Sequence, residues 1–535
     1  SVGVYSQIKS DTVSIADPPL NDLFANRITI PALAYNHAVN TAAIAQQNED
    51  DPTEPLPLSD TCTNPRQGKR SVWYEYTPDK NEDIYLDTFG TDYTTVLSVW
   101  KDENNDDIIT DNELVACTDS SSGQHVNLSF TPEAGTVYYF MISEYNNIAG
   151  SMEGTFDDVG GQAGGTLLFQ VSEIKNPAYL PMLFKNAFGG TYNSAFYVQN
   201  IHNTIPTKAV IKFYDTNGNL SCTISELIAP LASQGWWLPS LDCLPPGWVG
   251  GVYVTSVQPI VVVGRPHIGS EVMTYNGFSA GATETYLPML FKNAFGGVYQ
   301  SAFYVQNVDP AGAANISIEF YNQNGVSICS LNDIVQPLAS KGWWTPGVSC
   351  LPGGWVGSAV VRSNRNIVAV GRPHIGNEVM TYNGFSSGNP TSYLPMLFKN
   401  AFSGGAYKSA FYVQNIDDWN AANVTIKYYN EAGVLNCTET AVIPPMASVG
   451  YWLPSVGCLP EGWVGGVEVT SNQPIVMVGR PHIEAQITTY NGFTSGATES
   501  FVPMLFKNAF AGGAYKAAFY IQNLNSTTTA NITIK

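Results

Sequence analysis

One ten-residue sequence recurs four times and constrains the fold more than any other feature. YLPMLFKNAF stands at residues 179–188, returns at residues 286–295 and 393–402, and returns again as FVPMLFKNAF at residues 501–510. The successive offsets are 107, 107 and 108 residues. A repeat of this length is a whole domain with its own core, since the repeats of solenoid proteins are only about 20–45 residues long. The sequence therefore predicts an array of similar domains, arranged as beads on a string.

Each repeat consists of short runs of β-branched and aromatic residues that alternate with polar ones. Runs such as SAFYVQN, AVIKFYD and QPIVVVGRPHI are separated by Gly, Pro and Asn, and no stretch keeps a helical period. This pattern is typical of antiparallel strands and turns. We therefore predict an all-β chain of tandem β-sandwiches, with a jelly-roll-like head followed by immunoglobulin-like repeats of about seven or eight strands each.

The predicted domain boundaries follow the repeats. Residues 1–20 are an extended segment, residues 21–173 an acidic β-sandwich, and residues 501–535 part of a fourth repeat. The three complete repeats are repeat 1 (residues 179–278), repeat 2 (residues 286–385) and repeat 3 (residues 393–493). The linkers between them, such as SAGATET, are short and polar, and we expect them to space the beads closely.

The eight cysteines predict one disulfide in each unit. Three pairs have a spacing of 21 residues and a fourth pair lies in the head: Cys222/Cys243, Cys329/Cys350, Cys437/Cys458 and Cys62/Cys117. An even number with none left over favours disulfides and an oxidising, extracellular compartment. Zinc is the competing interpretation, but zinc sites prefer tight C-x-x-C pairs with further ligands, which these pairs lack.

The net charge of −20 lies almost entirely in the first part of the chain. Residues 1–175 carry 27 acidic and 8 basic side chains, whereas the remaining 360 residues carry 17 and 16. Neither part has the clustered Lys and Arg of a phosphate-binding face, so we predict no nucleic-acid partner. No apolar run approaches the roughly 20 residues of a membrane helix, and we predict no direct insertion into a membrane.

The best candidate site in the sequence is the acidic stretch DENNDDIITDNE. Aligned with an EF-hand loop, it offers oxygen ligands at Asp102, Asn104 and Asp106 and a bidentate carboxylate at Glu113. Asp107 stands where that loop has its turn glycine, and the flanking runs are strands rather than helices. Two interpretations stay open: a Ca²⁺ loop inside a β-hairpin, or a solvated acidic hairpin tip.

The motif GRPHI recurs in each complete repeat and places an arginine two residues before a histidine. The pairs are Arg265/His267, Arg372/His374 and Arg480/His482. A carboxylate follows four residues after the histidine in two copies, but Gln486 takes that place in the third. A metal site or an acid–base pair would need its partner in every copy. We therefore predict that the arginine and histidine brace the adjoining domain or loop by hydrogen bonds.

Aromatic residues and glycosylation sequons also recur. The repeated tryptophans fit either sugar-stacking platforms or core residues beside the disulfide, and their presence in every unit favours the core. Three N-x-S/T sequons occupy equivalent strand starts and are candidate glycosylation sites: Asn315, Asn423 and Asn531. The sequence contains no HExxH or Walker motif, and we predict that the chain is not an enzyme.

The head resembles the bacterial pre-peptidase C-terminal domain. The resemblance covers about residues 21–173 and is carried by NDLFAN, an acidic loop before Cys62, RSVWYEYTP, TVLSVW, ELVACTDSSSG and AGTVYYFMISEYN. It implies a non-catalytic sandwich on a secreted bacterial protein.

The repeats are similar to a sandwich repeat of exported proteins in filamentous Chloroflexota-like bacteria. This resemblance covers residues 179–535 and is carried by YLPMLFKN, FYVQN, LPxGWVG and TYNGF. It implies an extracellular or cell-surface scaffold.

The fourth repeat supplies only part of a sandwich. Residues 501–535 hold about a third of the strands that a closed core needs, so we expect either that the protein continues or that another chain completes the domain by strand addition. In the second case residues 1–15 would pair with the next subunit's fourth repeat, and this head-to-tail contact between copies would build a filament.

Three functions fit these observations. The first is a structural protein of a bacterial surface filament, sheath or stalk. The second is an adhesin or carbohydrate-binding array that uses its repeated aromatics on surface glycans. The third is the non-catalytic accessory region of a larger secreted hydrolase. We favour them in that order.

Overall fold

The computed structural model describes residues 18–42, 44, 70–104, 106, 108–109, 113–119, 126–144, 164–510, 512–513 and 515–535. Over these residues the chain folds into β-strands with a few 3-10 turns, which confirms the predicted all-β class of tandem sandwiches. Two compact units are present, Ser1–Lys175 and Asn176–Lys535. Within the described ranges, no helix is long and apolar enough to cross a membrane.

The N-terminal unit is a sandwich of two sheets with strand orders β1-β3-β8-β5-β6 and β2-β9-β4-β7. Its strands are β1 (Ile28–Thr29), β2 (Tyr35–Asn40), β3 (Val72–Tyr76), β4 (Ile84–Asp87), β5 (Thr95–Trp100), β6 (Leu114–Asp119), β7 (Asn127–Phe130), β8 (Tyr138–Glu144) and β9 (Thr166–Glu173). A 3-10 turn, Phe24–Asn26, precedes them.

Three strands of the five-stranded sheet are buried on both faces. One face of β3, β5 and β8 packs on the opposite sheet around Tyr74, Phe140 and Phe169. The other face lies under the 3-10 turn, where Phe24 meets the Trp73 ring edge-on at 5.0 Å. Burial on both faces explains why the runs VWYEY, TVLSVW and YYFMISE are almost continuously apolar.

The second unit contains the three complete repeats. Repeat 1 comprises β10 (Ala178–Lys185), β11 (Tyr192–Asn200), β12 (Thr207–Asp215), β13 (Leu220–Ile228), β14 (Ser233–Trp237), β15 (Trp248–Ser256), β16 (Ile260–Ile268), β17 (Glu271–Val272) and β18 (Tyr275–Asn276). Repeat 2 comprises β19 (Ala282–Lys292), β20 (Tyr299–Asn307), β21 (Ala314–Asn322), β22 (Ser327–Val335), β23 (Ser340–Trp344), β24 (Trp355–Ile375), β25 (Glu378–Val379) and β26 (Tyr382–Asn383).

Repeat 3 comprises β27 (Asn389–Lys399), β28 (Tyr407–Asn415), β29 (Ala422–Asn430), β30 (Leu435–Ile443), β31 (Ser448–Trp452), β32 (Trp463–Ile483), β33 (Gln486–Ile487) and β34 (Tyr490–Asn491). A 3-10 turn follows the fifth strand of each repeat: Leu238–Ser240, Thr345–Gly347 and Leu453–Ser455.

The strand order is the same in each repeat. In repeat 1 one sheet has the order β10-β15-β12-β13 and the other β14-β11-β16-β17. In repeats 2 and 3 the two strands that correspond to β15 and β16 are one 21-residue strand that belongs to both sheets. The first strand thus pairs with the sixth, whereas in an immunoglobulin domain strand A lies beside strand B.

The first strand of each repeat contains a bulge that a buried tyrosine closes. The register of β10 against β15 shifts between Leu180 and Leu183. Inside this bulge the Tyr275 hydroxyl donates to the Met182 carbonyl at 2.9 Å and accepts from the Met182 N–H at 3.1 Å. Tyr275 is only 3% exposed, so these bonds satisfy two backbone groups that water does not reach.

The glycine of GRPHI makes room for that tyrosine. A Cβ on Gly264 would lie 2.6 Å from the Tyr275 ring, which is closer than any real Cβ contact. The same pairing recurs as Gly371 with Tyr382 and as Gly479 with Tyr490. The glycine in the motif therefore follows from close packing in the sandwich core.

The three disulfides predicted in the repeats are confirmed. They join Cys222 to Cys243, Cys329 to Cys350 and Cys437 to Cys458, with Cα–Cα distances of 5.6, 5.7 and 5.8 Å. In the head, Cys117 lies on β6 and is disulfide-bonded. Its predicted partner, Cys62, lies outside the described residues.

The repeats are not beads on a string, because the segments between them are strands. The predicted linker after repeat 1 forms the start of β19 at Ala282, and the linker after repeat 2 forms the start of β27 at Asn389. The hydrophobic core of repeat 1 also includes Ala302, Tyr304 and Val370 of repeat 2. All three repeats consequently belong to one compact unit.

The repeats and the fourth-repeat segment (residues 501–535) close into a ring. At each of the four junctions a phenylalanine of one member meets a tyrosine of the next: Phe184–Tyr304 at 5.8 Å, Phe291–Tyr412 at 6.1 Å, Phe398–Tyr520 at 6.1 Å and Phe506–Tyr197 at 6.4 Å. The last contact returns from the fourth-repeat segment to repeat 1. Since the same residue pair recurs at every junction, the members are related by an approximate four-fold axis.

A hydrogen bond from a serine hydroxyl to a backbone carbonyl crosses three of these junctions. Ser340 donates its hydroxyl to the Pro181 carbonyl, and Ser448 donates to Pro288 at 2.6 Å. Ser233 of repeat 1 donates to Pro503 of the fourth-repeat segment at 2.6 Å. The fourth-repeat segment therefore uses the same polar contact that joins the complete repeats.

Candidate functional site: the junctions of the ring

Three of the four junctions place the arginine of GRPHI against aromatic rings of the preceding member. The Cζ atom of Arg372 lies 5.3 Å from the Tyr192 ring centre and 5.9 Å from that of Phe184. Arg480 lies 5.5 Å from Tyr299, and Arg265 lies 5.0 Å from Tyr515 of the fourth-repeat segment. These separations are those of cation–π contacts.

The strand geometry explains why the arginine and the histidine of GRPHI stand two residues apart. Residues at i and i+2 share one face of a strand, so Arg265 and His267 point to one side while Gly264 faces the core tyrosine on the other. Arg265 Nε donates to His267 Nε2 at 3.0 Å. This bond lies within repeat 1, and among the described residues the corresponding ring and guanidinium atoms of repeats 2 and 3 have no hydrogen-bond partner: Arg372 Nε, His374 Nε2, Arg480 Nε and His482 Nε2. The arginine contacts the neighbouring member through aromatic rings, and bracing by hydrogen bonds stays a prediction.

The histidine of the motif is held neutral. Burial, reinforced by the adjacent Arg265 charge, lowers the pKa of His267 to about 4. The same two causes lower the pKa of His374 to about 3, and they lower that of His482 to about 4 with a smaller contribution from Lys408. A neutral ring nitrogen can accept the arginine N–H, whereas an imidazolium could not.

This arrangement predicts that the ring loses stability in acid. A histidine whose folded pKa is lowered stabilises the fold above its unfolded pKa of about 6.5, and this contribution falls as the pH drops toward about 4. We expect about 1 kcal/mol for each of the three partly solvated histidines. Urea denaturation between pH 7 and 4.5 measures the loss. A variant with His267→Gln, His374→Gln and His482→Gln should show a shallower pH dependence, and an unchanged slope would contradict the assignment.

The arginine should matter more than an exposed arginine of the same repeat. Arg372→Ala removes both the packing and the cation–π contact and is expected to lower the unfolding free energy by about 2 kcal/mol. Arg365→Ala is the control. The Arg365 side chain is 44% exposed, so its ion pair with Asp309 should contribute less than about 1 kcal/mol. Thermal denaturation compares the two variants. Equal losses would mean that Arg372 does not hold the junction.

A turn beside each junction presents an exposed phenylalanine, which the sequence did not lead us to expect. Phe188 has a φ of 49° and packs on Tyr192 with a ring distance of 4.7 Å. It is 62% exposed, and its equivalents are 54–64% exposed: Phe295, Phe402 and Phe510. A bulky residue with positive φ is strained, and such strain is often kept at functional positions. The signal in the sequence was the Gly-Gly or Gly-containing turn after the apolar run.

A groove at the junction of repeats 1 and 2 combines aromatic and polar groups. Its volume is about 550 Å³, and its lining includes Phe188, Asp215, Trp248, Tyr304 and Lys341. Phe188 offers an exposed ring, while Asp215 Oδ1 accepts the Asn217 N–H at 2.8 Å and Lys341 Nζ pairs with Asp333 at 2.7 Å.

The repeated tryptophans divide between core and surface. Trp236 stacks on Phe196 at 5.0 Å and Trp248 meets Phe213 edge-on, as the core interpretation expects. The second tryptophan of each GWW or GYW run is different. Trp237, Trp344 and Trp452 are 39, 40 and 37% exposed, and each packs against the histidine of its own repeat.

Equivalent polar residues meet near the axis of the ring. Asn383 donates its side-chain N–H to the Asn276 carbonyl at 2.7 Å, and Asn491 donates to Asn383 at 2.7 Å. Atoms related by rotation come this close only near the rotation axis. Partial burial, together with the Glu271 carboxylate, raises the pKa of Glu378 in the neighbouring short hairpin.

The acidic loop of the head is engaged with its own backbone. Asn104 Oδ1 accepts the Asp106 N–H at 3.0 Å, and Glu113 Oε1 accepts the Glu103 N–H at 3.0 Å. Among the described residues, no group of three or more acidic, His or Cys side chains has the arrangement of a metal site. Asp102 follows strand β5 by two residues, a position that both interpretations of the loop allow.

Calcium binding by this loop stays a prediction with a direct test. If the loop binds the ion, titration calorimetry of the full chain should give one Ca²⁺ per chain. Glu113→Gln should abolish the heat, because it removes a bidentate carboxylate. Glu133→Gln is the control, since Glu133 is exposed and pairs with Lys101. No heat with the unmodified chain would favour the solvated hairpin tip.

The three sequon asparagines of the repeats are exposed. Asn315 and Asn423 stand near the starts of β21 and β29, and Asn531 lies in the fourth-repeat segment. Their side chains are accessible to a modifying enzyme, and their glycosylation stays a prediction.

No protein-family model and no curated protein matches the chain. Among solved structures, the crystal structure of Thermotoga maritima 1070 is 20% identical, covers 21% of this chain and 98% of its own, and has a TM-score of 0.18. A tetra-tandem repeat from the extending region of a large adhesion protein is 8% identical, with coverages of 81% and 96% and a TM-score of 0.10. A glycosyl hydrolase family 2 member from Bacteroides cellulosilyticus is 11% identical, with coverages of 45% and 31% and a TM-score of 0.14. The two family resemblances drawn from the sequence stay predictions.

Proposed function

We propose that the chain is an extracellular structural protein and a subunit of a bacterial surface filament, sheath or stalk. The closed ring of disulfide-bonded sandwiches is the observation that carries this proposal, because it makes a rigid block from a single chain. Three disulfides fit an oxidising location outside the cell. The near balance of 17 acidic and 16 basic residues outside the head permits close packing of copies.

Strand addition at the fourth-repeat segment would join the subunits. Residues 516–535 have an apolar strand sequence, AAFYIQN followed by ANITIK, but belong to no sheet in the described part of the chain. Phe519 is 45% exposed, although its equivalents in the complete repeats, Phe196 and Phe303, are fully buried. An unpaired apolar strand of this kind is a surface for another strand.

Electron microscopy of the native secreted material tests the proposal. Without denaturant or reductant, we expect filaments or sheets in which rings repeat at a regular spacing. Single rings at all concentrations would contradict the structural role. Ala518→Pro should abolish assembly while leaving the ring folded, since proline cannot donate a hydrogen bond to an added strand.

An adhesin is the second candidate, and the half-exposed tryptophans favour it. Trp237, Trp344 and Trp452 occupy equivalent places and would present three flat rings to one glycan surface. Glycan-array binding that falls in a Trp237→Ala, Trp344→Ala, Trp452→Ala variant would support this function. Binding that persists in the variant, or that is missing in the native chain, would oppose it.

A further inference from the structure

A groove on the surface of repeat 2 surrounds the sequon that begins at Asn315. Its volume is about 760 Å³, within the range of about 300–1,000 Å³ that small-molecule sites occupy. Three neighbouring strands, β22, β21 and β24, supply its lining. The lining of this sequon groove includes Asn315, Ser317, Asn332, Ile334, Arg362 and Asn364. A sugar attached to Asn315 would therefore start inside the groove.

The register of the sheet places an exposed apolar side chain beside that asparagine. Asn315 on β21 stands directly opposite Ile334 on β22, and side chains opposite each other on one face are about 5 Å apart. Ile316 is 3% exposed in the core, so its neighbour Asn315 faces the other way, toward the groove. Ile334 is 52% exposed, and β22 is the edge strand of its sheet. An apolar residue on an open edge favours pairing with another chain unless something covers it.

The walls of the sequon groove are held by bonds to other residues. The Asn315 N–H donates to Asn364 Oδ1 at 2.8 Å. Arg362 forms ion pairs with Glu284 at 2.8 Å and with Asp418 at 3.0 Å. Because these side chains are already in place, a sugar would meet a preformed surface, which lowers the entropy cost of ordering it there.

Repeat 3 has the same arrangement, and repeat 1 replaces it with a lysine. Asn423 stands opposite Val442, which is 64% exposed, and the Asn423 N–H donates to Asn472 Oδ1 at 2.7 Å. In repeat 1 the equivalent pair is Lys208 and Leu227. Burial lowers the pKa of Lys208, as expected for a lysine whose stem lies along apolar surface. A half-buried lysine thus stands where the other two repeats have an exposed sequon asparagine.

We propose that Asn315 and Asn423 carry N-linked glycans whose first sugars cover the edge strands β22 and β30. In repeat 2 these sugars would lie in the sequon groove over Ile334, and in repeat 3 they would lie over Val442. Covered in this way, neither edge can pair with a second copy of the chain. The inference rests on the extracellular location in the proposed function and not on the filament.

The covalent step needs an activated sugar with a pyrophosphate leaving group. The side-chain nitrogen Nδ2 of Asn315 loses one proton and bonds to carbon C1 of the sugar. The bond between C1 and the pyrophosphate oxygen breaks, and the pyrophosphate leaves with the proton. Nothing is oxidised or reduced, and the amide keeps its second hydrogen.

Mass spectrometry of glycopeptides from the native secreted chain tests the modification. We expect sugar on the peptides that contain Asn315 and Asn423. Asn436 is the internal control, because it also begins an N-x-T sequon in repeat 3 but its Oδ1 accepts the Trp463 indole N–H at 3.1 Å. It should be unmodified. Bare asparagines at 315 and 423 would overturn the inference, and equal modification of Asn436 would overturn the role of the groove.

Variants without the sequons test whether the sugars cover the edges. Ser317→Ala together with Thr425→Ala removes both sequons and keeps both asparagines. We expect the dissociation constant for dimers, measured by analytical ultracentrifugation, to fall about tenfold, because the apolar edges become accessible. Ser317→Thr together with Thr425→Ser preserves both sequons and should leave the constant unchanged. Thermal denaturation shows that each variant is folded.

A second pair of substitutions identifies the surface that associates. Adding Ile334→Thr and Val442→Thr to the variant without sequons should restore the original dissociation constant. Dimers that persist after this change would show that the copies meet elsewhere and would overturn the covering role. An unchanged constant on removal of the sequons would overturn it as well.

The outcomes separate this inference from the filament proposal. Glycans on both asparagines of a chain that forms only single rings would uphold the inference and oppose the structural role. Filaments built from chains with bare asparagines would support the structural role and overturn the inference.

Discussion

Replacing Tyr382 with phenylalanine is expected to lower the free energy of unfolding of the ring by about 3 kcal/mol. The Tyr382 hydroxyl donates to the Met289 carbonyl at 2.8 Å and accepts from the Met289 N–H at 3.2 Å, inside a strand bulge. Phenylalanine fits the same space but leaves both backbone groups unpaired. Each buried unpaired group costs about 1–3 kcal/mol.

The size of this effect distinguishes it from the removal of an ordinary tyrosine hydroxyl. Tyr321→Phe is the matched control in the same repeat. Its hydroxyl donates to Glu319 at 2.7 Å, and that carboxylate keeps Arg362 as a second partner at 3.3 Å. We expect the control to lose about 1 kcal/mol in urea denaturation. Equal losses in the two variants would mean that the bulge finds other partners or water.

Removing one disulfide of the ring is expected to lower the free energy of unfolding by a similar amount. In a variant with Cys329→Ser and Cys350→Ser, we expect the unfolding free energy to fall by about 3 kcal/mol, because a loop of 21 residues is no longer closed in the unfolded chain. Cys329 lies on β22, the edge strand of its sheet, so the bond also holds an edge against the loop before Trp355.

Denaturation in urea with and without reductant measures this contribution. Limited proteolysis should then cut the variant first between residues 330 and 350, where the edge strand and its loop are no longer joined. A variant with Cys437→Ser and Cys458→Ser in repeat 3 is the comparison. Its free energy of unfolding should fall by the same amount for the same reason. A loss below about 1 kcal/mol would show that strand pairing alone holds the edge.

The sequence predicted the content of each repeat but not how the repeats are joined. Alternating runs identified the strands, and the spacing of Cys222 and Cys243 identified the disulfide, since both signals are local. The junction between repeats 1 and 2 depends on Arg372 and Tyr192, which are 180 residues apart. No local pattern connects them. The polar linker before Tyr286 also reads as a spacer, whereas it pairs as strand β19.

The candidate site was only partly predictable from the sequence, because its geometry also depends on more than local patterns. The loss of the acidic partner at Gln486 led us to predict that GRPHI braces its neighbour by hydrogen bonds, whereas its arginines contact the neighbouring member through aromatic rings. The exposure of Phe188 was missed because it closes an apolar run that otherwise fills the core. Its conformation depends on the turn that follows, where Gly189 and Gly190 both have positive φ. Only the backbone geometry shows that this last aromatic turns outward.

Closure of the ring changes how the array responds to a local opening. In an open row, the last member is lost as soon as its single contact breaks. Here repeat 1 is held by repeat 2 on one side and by the fourth-repeat segment on the other. When one contact opens, the other keeps the separated surfaces at a high effective concentration, and they rejoin. Mechanical shear or a protease can therefore separate repeat 1 only while both of its contacts are open. The probability of that state is about the product of two small opening probabilities.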